Sequence, residues 1–129
     1  MAKNVKTVRV DDSVYDAVTK MNKFDVGSVI VMNGSRPVGI ITSTNVLRKV
    51  VEPRVDPTIV KAKDAMSSPL VTIEADATIE EAARSMSQRR IKKLAVMEKD
   101  KLIGVLSSSD IVRANPAQIG ILQELLKIS

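Results

Sequence analysis

"GIITSTNVLRKV", Gly39 to Val50, is written like a strand that turns straight into a helix, and "GVLSSSDIVRAN", Gly104 to Asn115, says the same thing 65 residues later. In both, a glycine and apolar residues lead into a run of hydroxyls, then Asn or Asp, then a helix start. Working outward from these stretches, the chain aligns with itself without a gap, Thr7 to Arg48 on Thr72 to Arg113. Identical pairs include Thr7 and Thr72, Asp11 and Asp76, Ala17 and Ala82, Met21 and Met86, Val31 and Val96, and Arg48 and Arg113. Repetition at a fixed period means a duplicated structural unit. A unit of roughly 60 residues buries too little surface to be secure alone, so the two halves are expected to share one core.

Each half follows one plan. "TVRV" and "VTIE" alternate as short strands do. Val14, Ala17, Val18 and Met21 then recur at helical spacing, matched by Ile79, Ala82, Ala83 and Met86. Both helices open on a capping-box pattern, Ser13 with Asp16 and Thr78 with Glu81. The runs "SVIVM" and "LAVM" are expected to be buried strands, followed by turns at "NGSR" and "EKDK" and the strands "PVGII" and "LIGVL". The predicted fold is mixed α/β (α+β): two β-α-β-β-α repeats packed with pseudo-two-fold symmetry, plus a C-terminal helix. The boundaries are 1–52 for repeat 1, 53–65 for a linker, 66–115 for repeat 2 and 116–129 for the closing helix. That last stretch puts Ile119, Leu122, Leu125 and Leu126 on one stripe behind Pro116.

Composition excludes much. Among 129 residues there is no Cys and no His, which removes disulfides, thiolate nucleophiles, imidazole acid–base chemistry and the usual soft metal ligands. One Tyr, one Phe and no Trp leave an aliphatic core and no stacking platform for single-stranded nucleic acid. No segment is apolar for the roughly 20 residues a membrane span needs, and the N-terminus lacks a signal-peptide core, so a cytoplasmic protein without membrane attachment is the expectation. Lys and Arg exceed Asp and Glu by 20 to 15, a net charge of +5, which favours an anionic partner or simply a solubilising surface.

The repeated turn carries the chemistry. Gly39 and Gly104 remove a side chain where a strand runs beside a backbone or a flat ligand. Thr42, Ser43, Thr44 and Ser107, Ser108, Ser109 fall at a helix start, where free N–H groups and the helix dipole attract phosphate. Three residues on, Asp110 is able to accept from both hydroxyls of a ribose, and Asn45 in part. Ser-x-x-Asp before an apolar run is equally an ordinary helix cap that needs no ligand. "RRIKK", Arg89 to Lys93, reads either as a helix end whose cations suit the dipole or as a phosphate-binding cluster.

With "DAMSSPLVTI" (Asp64 to Ile73), "RRIKKLAVM" (Arg89 to Met97) and the two Gly-h-x-Ser/Thr-x-x-Asp/Asn stretches, h being hydrophobic, nearly the whole chain resembles a tandem cystathionine-β-synthase-type (CBS) domain pair, or Bateman module. The resemblance implies a regulatory sensor, not an enzyme, that binds AMP, ADP, ATP or a related adenosine compound such as S-adenosylmethionine or NAD in clefts between the halves. It implies one cleft with Ser107 toward phosphate, Asp110 on ribose, Lys92 or Lys93 on the phosphates, and Asn4, Val5, Lys6 and Val26 bordering the base. The other would have Thr42, Asn45, Gly27 and Ser28, with Leu70, Val71 and Ile91 on its far side. Because Lys92, Lys93 and Asp110 stand where the other half has Gly27, Ser28 and Asn45, the first cleft is expected to hold a charged nucleotide more tightly. No catalytic cofactor or metal is expected. A homodimer through the exposed sides of the helices at Val14–Met21 and Ile79–Met86 is expected, acting on an effector protein the sequence does not identify. Two alternatives stand beside this reading: a structural, dimerising module without ligand, and a nucleic-acid binder using the basic surface.

Overall fold

The computed structural model describes residues 4–114. The expected closing helix at 116–129 lies outside them. Val5–Val71 forms one compact unit, and the chain from Thr72 forms a second, to which Asn4 also belongs.

In the first unit, β1 (Thr7–Arg9) leads through Ser13 into α1 (Val14–Phe24). The Ser13 hydroxyl accepts from the Asp16 N–H at 3.0 Å, capping the helix where the sequence placed its start. The helix ends on Asp25 in the left-handed region, φ 50°, whose N–H returns to the Met21 carbonyl. β2 (Ser28–Asn33) and β3 (Arg36–Thr42) form a hairpin through Gly34 at φ 63°. The sheet order is β1-β2-β3, with β1 parallel and β3 antiparallel to β2. β1 reaches β2 only after a helix has crossed the sheet, as a parallel neighbour requires.

α2 (Ser43–Val46) follows β3 without a break and continues as a π-helical turn, Leu47–Val51. The chain then stays on the first unit. Val60 and Pro57 carbonyls accept from the Val14 and Tyr15 N–H groups, and a short α3 (Ala62–Ala65) is tied to the Asp12 and Val10 carbonyls. One core cluster, Val8, Ala17, Met21, Val29, Val31, Ile41 and Ala62, fills the space between α1, α3 and the sheet. A second, Val14, Val50 and Ala65, lies where α1, the π-helical turn and α3 meet.

The second unit repeats the first at the level of register. β4 (Thr72–Glu74), α4 (Ile79–Arg89), β5 (Lys93–Glu98), β6 (Lys101–Ser107) and α5 (Ser108–Ala114) follow in the same order. Thr7 pairs with Ile30, and Thr72 with Ala95; Ser28 pairs with Thr42, and Lys93 with Ser107. Even the bulge recurs, between Val31 and Met32 and between Val96 and Met97. Thr78 and Glu81 close a full capping box on α4, and Arg90 ends it in the left-handed region at φ 54°, as Asp25 ends α1. Ala82, Met86, Leu94, Ala95, Val96, Val105 and Ile111 are buried. The mixed α/β repeat fold read from the sequence is the observed one: each unit carries β-α-β-β-α in order, and the first adds the π-helical turn and α3, the latter in the stretch read as a linker.

Candidate functional site

Both hydroxyl turns sit at the C-terminal end of the last strand of their sheets, a position strand pairing sets. β3 delivers Thr42 beside Ser28, the first residue of β2; β6 delivers Ser107 beside Lys93, the first residue of β5. The strand start and the helix start thus meet at one corner of each unit.

In the second unit the corner is built around Asp110. One carboxylate oxygen accepts from the Ser107 N–H at 2.9 Å, and the Asp110 N–H donates to the Ser107 hydroxyl at 3.2 Å. The other oxygen pairs with the Arg113 guanidinium. The Asp110 side chain is only 12% exposed. Burial pushes its carboxyl up, the N–H and hydroxyl of Ser107 are among the groups that pull it down, and the balance lies below the ordinary carboxylate range. It is therefore a fixed, ionised carboxylate at neutral pH. The Ser108 N–H is taken by the Lys92 carbonyl at 2.9 Å, which ties the basic segment to the turn. Lys92 is exposed, Lys93 and Ile91 are half-buried, and Arg89 and Arg90 are exposed at the end of α4. Ser107, Asp110, Lys92 and Lys93, predicted together from sequence, stand together in this unit. Asn4 is exposed and belongs to the same unit.

The corner of the first unit uses the same frame with different chemistry. The Asn45 carboxamide oxygen accepts from the Thr42 N–H at 2.8 Å and from the Thr42 hydroxyl at 2.9 Å. Its amide nitrogen donates to the Ser67 hydroxyl at 2.9 Å. Gly27 is exposed and Ser28 half-buried. Of the remaining predicted residues, Val26 packs on the first core cluster. Lys6 gives its carbonyl to the Ile30 N–H and holds its ammonium 3.9 Å from the centre of the Phe24 ring. Val5, Leu70 and Val71 are half-buried at the two ends of this unit.

Capping geometry is thus present at both turns: Asn45 and Asp110 each accept the N–H of the residue that precedes the helix, Thr42 and Ser107. Two partners escaped the sequence reading. Arg113 carried a signal, since Asp and Arg three apart on a helix face one another. Ser67 carried none, because it lies 22 residues from Asn45. Among the described residues no three carboxylates are gathered to hold a metal, and no helix is long and apolar enough to cross a membrane.

Comparison with known proteins bears on these corners. The CBS domain family model matches residues 1–52 and again 62–117. An uncharacterised protein of Methanopyrus kandleri is 32% identical over 127 residues, 97% of this chain and 65% of that protein. The chain therefore spans just under two thirds of that relative's length. A solved protein with CBS domains from Burkholderia ambifaria superimposes with a TM-score of 0.81 at 28% identity, covering 88% of this chain and 83% of the other. The hexameric CBS-CP12 protein of bloom-forming cyanobacteria gives 0.80 at 32% identity, over 87% of this chain and 66% of that one.

Proposed function

From the premise that the chain belongs to the CBS domain family, matched once over each repeat, we propose that it is a regulatory module that binds an adenine nucleotide and has no catalysis of its own. AMP, ADP or ATP is the ligand class, with S-adenosylmethionine and NAD as related candidates. The observation that carries this reading is the Asp110 corner. A carboxylate only 12% exposed and hydrogen-bonded by the Ser107 N–H stands in the turn whose Ser107 pairs with Lys93 and whose Ser108 N–H is held by the Lys92 carbonyl, with Arg89 and Arg90 close in sequence. A fixed carboxylate accepts from ribose hydroxyls, while lysine ammonium groups and the Ser107 hydroxyl serve phosphate oxygens by charge-assisted hydrogen bonds.

Thermal unfolding with AMP, ADP, ATP, S-adenosylmethionine and NAD tests it. A ligand at about 100 times its dissociation constant adds about 2.7 kcal/mol of stability, and Asp110→Ala abolishes the effect. If none of the five moves the melting temperature, the nucleotide reading is wrong.

A second reading, a self-associating structural module, is favoured by a separate observation. Tyr15, Leu47, Val51, Val55 and Ile59 expose 53, 57, 57, 41 and 75% of their surface. Leu47 and Val51 are one turn apart, and the Tyr15 N–H is bonded to the Pro57 carbonyl beside Ile59. Apolar side chains gathered in this way mark association surfaces. The two readings are compatible: a homodimer that also senses a nucleotide uses both features, and its effector protein is a separate partner.

A further inference from the structure

We infer that Asn45 and Ser67 form a clasp that fixes the segment between the repeats onto β3 and closes the first repeat's turn, so that one ligand is held per chain and not two. The ligand count rests on the nucleotide reading above; the clasp does not.

Beyond β2, the other side of β3 is where the connecting segment comes to lie. The Ile40 N–H donates to the Ser67 carbonyl at 3.1 Å, and the Ser67 N–H returns to the Ile40 carbonyl at 2.9 Å. Gly39 makes room for this pairing: a Cβ there would stand 2.4 Å from the Met66 sulfur and 2.9 Å from the Ser67 carbonyl oxygen. Met66 packs on the first core cluster, so the segment is anchored by side chain as well as backbone.

Asn45 completes the anchor, and its amide orientation is fixed by chemistry. The Thr42 backbone N–H only donates, so the atom 2.8 Å from it is the carboxamide oxygen. The nitrogen therefore faces Ser67, whose hydroxyl accepts. An ionised Asp has no hydrogen to give, which is why Asn at this position does something Asp110 does not. The Thr42 hydroxyl hydrogen is committed to Asn45, and the outward face of Asn45 to Ser67. A sugar or phosphate seeking these groups has to displace a piece of the chain itself. Ser67 stands five residues before Thr72, where the second unit begins, so the clasp also fixes where the chain leaves the first.

Urea unfolding of four proteins, wild type, Asn45→Ala, Ser67→Ala and the double variant, tests the clasp. Ser67 is exposed, so its replacement threatens no core. Ser67→Ala is expected to lower the folding equilibrium constant about five-fold in the wild type, the worth of one ordinary hydrogen bond, and to change nothing in Asn45→Ala. An equal loss in both backgrounds overturns the clasp. Should Asn45→Ala not fold, the Asn45 side-chain amide resonances decide. They shift on Ser67→Ala if the bond exists, and unmoved resonances refute it. Calorimetric titration with ATP tests the count: one equivalent per chain, lost in Asp110→Ala. Two equivalents, or one that survives Asp110→Ala, overturn it. An absence of ATP binding defeats the nucleotide reading and the count together, while the clasp is judged by the unfolding cycle alone.

Discussion

Replacing Gly39 with Ala tests how tightly the connecting segment is seated. The added methyl would lie 2.4 Å from the Met66 sulfur, 2.9 Å from its Cγ and 2.9 Å from the Ser67 carbonyl oxygen. The thioether is flexible and is free to swing away at the cost of part of its contact with the core. The carbonyl is not, because the neighbouring Ile40 N–H holds it. Relief therefore requires the strap to lift, with loss of both Ile40–Ser67 bonds, about 1 kcal/mol each, and about 1 kcal/mol of Met66 burial. Against this stands a gain of about 0.4–1 kcal/mol from stiffening the unfolded chain. The net expectation is destabilisation by about 2 kcal/mol, a fall in melting temperature of about 7 °C for a chain of this size. Urea unfolding monitored by circular dichroism reads it as a lower midpoint at an unchanged slope. A variant as stable as the wild type, or more stable, would refute the close seating of Met66 and Ser67 against β3.

Two further outcomes are expected. Because the Asp110 carboxyl is held below its ordinary range, it contributes stability that is complete above the unfolded value, near pH 4, and is lost as pH falls through the folded one. The stability gap between wild type and Asp110→Asn should therefore narrow from pH 7 to pH 3, and a constant gap in urea midpoints contradicts the hydrogen-bonded, ionised carboxylate. Leu47→Asp should convert the proposed homodimer to monomer in sedimentation without loss of helix content, since Leu47 is 57% exposed; an unchanged sedimentation coefficient removes the apolar face as the association surface.

The agreement between sequence and fold was strongest where local chemistry and period acted together. Ser13 and Thr78 announced their helices because a hydroxyl that accepts an N–H three residues on is a local event. The duplicated register followed from the ungapped offset, since strands of equal pattern and turn length pair alike. The role of "EPRVDPTIVKAKDAMSSP" was less legible. Residues 53–65 of it read as a linker and 66–69 as the start of repeat 2, yet its Pro57 to Ser67 stretch is bound to the first unit through backbone groups. Backbone hydrogen bonds leave no side-chain signature. The exposed face at Leu47, Val51, Val55 and Ile59 was likewise hidden, because an apolar residue looks the same in sequence whether it points to core or to solvent.

By itself, the sequence determined two equal units, their strand and helix order, an aliphatic interior, and the paired corners where Ser107 and Asp110 answer Thr42 and Asn45. Only the tertiary structure decided what Asn in place of Asp means. Seen along the chain, the change is the loss of a charge. Folded, it supplies an amide hydrogen to a serine 22 residues away. Spacing along a helix or strand reveals partners that local geometry brings together, whereas Ser67 reaches Asn45 only because Gly39 lets a distant backbone lie against β3.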